Sequence, residues 1–203
     1  MAFNNTVKDF RDKFKGTRSN RFIITPGNPP TGIILPTSST VPVVNDFKLY
    51  AKATSYPGSA IGMIPVSYQG RVVKYSGERQ FAEWSIQVYD SSASVASGVN
   101  LRNYFENWIT LGDDPLTHNQ QYNIASTTPW QVTFDDIINS GPAVPGGAGG
   151  GVSPTYNKTL FLFNCWPIDI SAIDLNYEAA DSFSEFTLTL AYDFHKKDSN
   201  PTN

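Results

Sequence analysis

The stretch from Phe47 to Asp90, FKLYAKATSYPGSAIGMIPVSYQGRVVKYSGERQFAEWSIQVYD, constrains the fold more than any other part of the chain. Phe47, Leu49, Ala51 and Ala53 alternate with Lys48, Tyr50, Lys52 and Thr54, while Trp84, Ile86 and Val88 alternate with Ser85, Gln87 and Tyr89. A period of two belongs to strands with one face in a core and the other in water. Strands are therefore predicted around 47–54, 66–76 and 80–90, with a loop from Ser55 to Pro65 that carries Tyr56, Pro57, Ile61, Met63 and Ile64. Such strands have edges, and an edge must be paired, covered or blunted.

The C-terminal third has the same character. An apolar run from Leu160 to Phe163 is followed by alternation at Ile173, Leu175 and Tyr177, then at Phe186, Leu188, Leu190, Tyr192 and Phe194. One internal helix interrupts the strands: Leu101, Tyr104, Phe105 and Trp108 fall at i, i+3, i+4, i+7, with Asn100 or Ser97 as cap and Gly112 to end it in the left-handed conformation. A short amphipathic helix is predicted over 5–15, where Val7, Phe10 and Phe14 share a face too small to hold it alone. A strand at Arg21–Thr25 gives way to a proline-rich arm, Pro26 to Pro42, placed outside the core. Residues 113–157, with the glycine-rich run Ser140 to Pro154, are predicted to be a surface insertion in a single domain that spans 1–203. The expected architecture is mainly β: an antiparallel sandwich or barrel with one internal α-helix and a short N-terminal helix.

Composition excludes several function classes. Charged residues make up 16% of the chain, below the ~25% typical of soluble domains, while aromatic residues reach 13%. A surface poor in charge suits one covered by neighbours. A net charge of −3 is the wrong sign for gripping nucleic acid through its phosphates. The single cysteine, Cys165, excludes a disulfide framework, and its setting in LFLFNCW predicts an inert buried thiol. His118 and His195 have no metal-ligand partner at usable spacing, and Asp113–Asp114 and Asp135–Asp136 are predicted to be solvated turn residues. The run of glycines at 146–151 lacks the strand and helix that a dinucleotide site needs. No catalytic, cofactor or metal residue is assigned, and neither a signal peptide nor a membrane span is expected.

Several segments point to one family. KATSYP (Lys52 to Pro57), MIPVSYQGR (Met63 to Arg71), GERQFAEWSIQV (Gly77 to Val88), CWPIDISAIDLNY (Cys165 to Tyr177) and EFTLTLAYDF (Glu185 to Phe194) resemble, in collinear order, the tail tube proteins of T-even-type contractile-tailed bacteriophages. The resemblance implies hexameric rings, closed by a ring-wide β-barrel and stacked into the inner tube of a virion tail assembled in the host cytoplasm. It implies tail sheath, baseplate and tail-terminator proteins as partners, and phage DNA as a transient passenger. Within that frame Phe10, Phe14, Tyr56, Pro57, Ile61, Met63 and Ile64 are the expected contacts between rings or subunits. Lys48, Tyr50, Lys52 and Thr54 are expected to face the lumen. Rival readings are a baseplate tube initiator, the inner tube of a phage-derived contractile injection system, and a carbohydrate-binding β-sandwich using an exposed Trp130.

Overall fold

A computed structural model describes residues 19–20, 22–32, 47, 50–90, 100–134, 158–173, 175 and 183–197. The predicted helix over 5–15, with Phe10 and Phe14, lies outside them, as do Lys48, most of the proline-rich arm and the glycine-rich run.

The strands are β1 (Phe22–Thr25), β2 (Ala51–Thr54), β3 (Ser59–Tyr68), β4 (Arg71–Phe81), β5 (Trp84–Tyr89), β6 (Trp130–Phe134), β7 (Lys158–Phe163), β8 (Trp166–Ile170), β9 (Glu185–Ala191) and β10 (Phe194–Lys196), with helix α1 at Leu101–Gly112 between β5 and β6. They form two four-stranded sheets, β1-β6-β7-β10 and β2-β5-β9-β8, and a separate pair β3-β4. Every pairing is antiparallel. The mainly β class predicted from the alternation holds.

Both four-stranded sheets and α1 feed one core. Strand β5 buries Trp84, Ile86 and Val88, and β9 answers with Phe186, Leu188 and Leu190. Trp130 joins the layers: its ring meets those of Phe47 at 5.6 Å, Trp84 at 6.0 Å and Phe105 at 6.2 Å. Helix α1 delivers Leu101, Tyr104, Phe105 and Trp108 to this core, and burying each side chain stabilises by roughly 1.5–3 kcal/mol. Its start is capped as expected, with the Asn100 carboxamide oxygen accepting from the Asn103 N–H at 2.7 Å.

Four expectations change. Gly112 is the last helical residue, not a left-handed cap; a Cβ there would lie 2.9 Å from Ile124 Cδ1, so close packing requires the glycine. Pro26, Gly27 and Pro29 are buried, because the segment docks on 126–130 through Thr127 N–H to Asn28 O at 2.8 Å and Asn28 N–H to Thr128 Oγ1 at 2.7 Å. Strand β6, predicted within a surface insertion, lies between β1 and β7 with Trp130 fully buried. This removes the exposed tryptophan on which the sugar-binding reading depended. The single strand expected over 186–194 is two: β9 ends, Tyr192 and Asp193 cross between sheets, and β10 pairs with β7.

That crossing lies beside a second one. Asn164, at φ 56°, carries the chain from β7 into β8, and its side-chain amide donates to Asp193 Oδ2 at 2.7 Å. Strand β8 is the outer strand of its sheet, and its margin is irregular: Pro167 has no N–H, and the register shifts between Pro167 and Asp169.

Candidate assembly surface

The segment predicted as a loop from Ser55 to Pro65 is largely strand. Ser59–Tyr68 pairs with Arg71–Phe81, and the two are joined by Gln69 and Gly70 at φ 47° and 77°. Two successive positive φ values define the tight turn whose twist matches that of flanking strands. Q-G between alternating residues was the missed signal.

Opposed residues of an antiparallel pair share a face. Tyr68 lies opposite Arg71, Val66 opposite Val73 and Ile64 opposite Tyr75, so one face of the hairpin carries five large apolar or aromatic side chains and an arginine. The other face carries Ser67 with Val72, Pro65 with Lys74, and Met63 with Ser76, a smaller and more polar set. Tyr68 is 66% exposed, Tyr75 58% and Ile64 54%. No residue between Ser59 and Gln80 is buried. A lone two-stranded ribbon is marginal in water, and an apolar patch of this extent marks an interaction surface.

The hairpin is anchored at its root. Phe81 packs edge-on against His195 at 5.0 Å and near Tyr192 at 6.0 Å, with the Arg79 guanidinium 5.9 Å from the Phe81 ring. Burial, then the Arg79 charge, lowers the His195 pKa. His195 is thus a packed member of the root. Further out, the register shifts between Ile61 and Met63, and a Cβ on Gly77 would lie 3.1 Å from the Gly62 carbonyl. The ribbon bends where two glycines let the backbones close up.

The predicted site residues separate. Tyr56, Ile61, Met63 and Ile64 are exposed, whereas Pro57 is buried in its own chain. Phe47 and Tyr50 are helical, not the start of a strand, since their i, i+3 spacing lets Phe47 enter the core and Tyr50 pack on it. In β2 a register shift between Ala51 and Ala53 undoes the expected alternation: Ala53 pairs with exposed Gln87, and Thr54 with buried Ile86. Lys52 and Thr54 therefore sit on opposite faces; Thr54 Oγ1 donates to Ser85 O at 3.0 Å. Lys52 alone of the four is both described and exposed on the polar side. There it pairs with Glu185 and sits 5.3 Å from the Tyr89 ring centre, and the Glu185 hydrogen bond raises its pKa. Ser85, Gln87, Thr187 and Thr189 continue this polar face by register.

No cluster of three or more His, Cys, Asp or Glu able to hold a metal ion occurs among the described residues, and none of their helices is long and apolar enough to cross a membrane. Residues 18–198 match the phage tail tube protein family. The chain belongs to that family. Members are components of the virion. Among relatives of the tail tube family, the chain is 22% identical over 149 residues to tail tube protein gp19 of Enterobacteria phage T4, covering 73% of this chain and 80% of that one. It is 26% identical over 147 residues to the tail tube protein of Serratia phage KSP90, covering 72% of each. Its fold is similar to a chain of the anti-feeding prophage baseplate, with a TM-score of 0.57, 11% identity and coverage of 89% and 94%. It is also similar to a chain of an extracellular contractile injection system, the PVC sheath-tube complex in its extended state, with a TM-score of 0.55, 11% identity and coverage of 95% and 97%.

Proposed function

We propose that this single-domain chain is the inner tail tube subunit of a contractile phage tail, assembling in the host cytoplasm into hexameric rings that stack as a conduit for DNA. The hairpin carries the reading: an ordered ribbon with one apolar face that no other described residue covers is built to be completed by other copies. Pairing of sheets round a ring removes their edges by closing one barrel, while the axial contact repeats without closing. Tyr56, Ile61, Met63 and Ile64 are contacts in this arrangement. The polar face of β2, β5 and β9 lines the channel, where Glu185 neutralises Lys52. Neutralising Lys52 in this way weakens the hold of the described part of the lining on DNA phosphates and lets them pass.

The role is mechanical and non-catalytic, and uses no cofactor. Membership of the tail tube family supports it, and the sheath-tube complex among structures of similar fold supports sheath, baseplate and terminator as partners. Likeness to a baseplate chain favours a second reading, a short tube-initiating ring. Electron microscopy of the concentrated, purified protein tests both. Long uniform tubes are expected, single rings would point to the initiator, and strictly monomeric folded protein would overturn the proposal.

A further inference from the structure

The tip of the hairpin has a chemical complement elsewhere on the same chain. Between Ser55 and Gly77 there is no carboxylate, while Arg71 and Lys74 lie near the turn. Neither forms an ion pair among the described residues. On the apolar face, Arg71 is bordered by Tyr68 and followed by the pair Val66 and Val73. A basic group is thus set at the end of an apolar stripe.

Where α1 ends beside β8 there is a cleft of about 690 Å³ that includes Asp113, Tyr122, Trp166, Ile168 and Asp193 in its lining. Among the described residues no Lys or Arg lines it. Tyr122 is 94% exposed and Ile168 44%, so the apolar part of the wall is uncovered. Asp193 already accepts from the Asn164 amide through one oxygen, which leaves the other for an incoming donor. Asp114, next in sequence to Asp113, has its carboxyl pKa lowered by hydrogen bonds from Thr117 and the Leu116 N–H. In the isolated chain the hairpin's substantial contacts are between its own two strands, so it does not fill this cleft itself.

We propose that the Tyr68–Arg71 end of the hairpin of one copy seats in this acidic cleft of a second copy. Arg71 lies between Asp113 and Asp193, and Tyr68 and Val73 cover Ile168 and Tyr122. The inference rests on the tube reading and names the receptor for its protruding element. The contact is heterologous, with one patch on each subunit meeting a different patch on the next, and such contacts propagate. Opposite charge at the rim sets register and speeds encounter, while the apolar wall supplies the lasting attraction.

Two measurements test this in assembled tubes. Chains carrying Val73→Cys and chains carrying Ile168→Cys are mixed, assembled and treated with a short bis-maleimide; native Cys165 is buried and stays silent. A mixed 73–168 cross-link is expected. Links between two Val73→Cys chains with no mixed product would overturn the proposal, as would capture of Ile168→Cys by sheath protein in whole tails with the tip unlinked. In the second test, Arg71→Asp and Asp113→Arg are each expected to raise the protein concentration needed for tube growth by about tenfold, and the double variant to restore most of it. Purely additive losses would overturn the pairing. Normal tubes with no mixed cross-link would remove the cleft and leave the tube reading intact, whereas wild-type protein that forms no assembly would remove the tube reading, and the cleft with it.

Discussion

Asn164 shows how much one residue carries. Its left-handed backbone turns the chain between sheets, and its amide ties that corner to Asp193 in the second crossing. Asn164→Ala loses the bond and strains the backbone, and is expected to lower unfolding free energy by about 1–2 kcal/mol in urea titrations. Asn164→Gly keeps the turn and is expected to cost less. Gly27 is constrained differently: an added Cβ would fall 2.1 Å from the Thr128 carbonyl oxygen, and Gly27→Ala is expected to cost roughly 1–3 kcal/mol by overpacking. Cys165 fixes a pH dependence. Burial pushes its thiol from 9.0 up to about 12, and burial also raises Tyr104. The unfolded chain releases the thiol proton above about pH 9 and the phenol proton above about pH 10 while the native chain keeps both, so stability falls as pH rises from about 9 towards 12, by up to about 1.4 kcal/mol per unit for each group once its unfolded pKa is passed. Urea unfolding at pH 7, 9 and 10 checks the sign, and a gain in stability on going to pH 10 would contradict it.

At the scale of elements, legibility followed burial. Strands β5 and β9 were readable because each has one face in the core, so buried residues alternate with exposed or half-buried ones in step with the apolar alternation of their sequences. Helix α1 was readable for the same reason at a different period. The hairpin was not. Its apolar residues Ile61, Met63, Ile64, Val66, Val72 and Val73 obey no simple alternation, since a register shift interrupts them and no core among the described residues selects one face. The β2 shift is similarly silent in sequence, and it moved Thr54 to the face opposite Lys52. Trp130 was misplaced because glycine and proline downstream made its whole neighbourhood read as peripheral. Ile61→Asp with Ile64→Asp removes apolar contact without touching the core, so the protomer is expected to unfold within about 0.5 kcal/mol of wild type while tube growth is lost. Denaturation curves and negative-stain images together decide this.

The whole molecule divides into a self-sufficient body and a ribbon that depends on others. One core joins both four-stranded sheets and α1, and it stops at the Phe81 root. Hydrogen exchange is expected to reflect that division: amides of β3 and β4 exchange rapidly in dissociated protomers and slow markedly in tubes, while β5 and β9 are protected in both. Equal protection of the hairpin in the two states would mean that its own chain suffices to hold it. The sheet margins divide as well. At β8, Pro167 brings no N–H and the register with β9 shifts beside it, so the margin is irregular: a generic strand finds no continuous template there, and only a neighbour shaped to that margin, as in ring closure, can pair with it. Uncontrolled cross-β stacking of the kind that turns concentrated β-rich proteins into amyloid is thereby obstructed along that border, a safeguard of value to a polypeptide whose purpose demands that it be packed at very high local density.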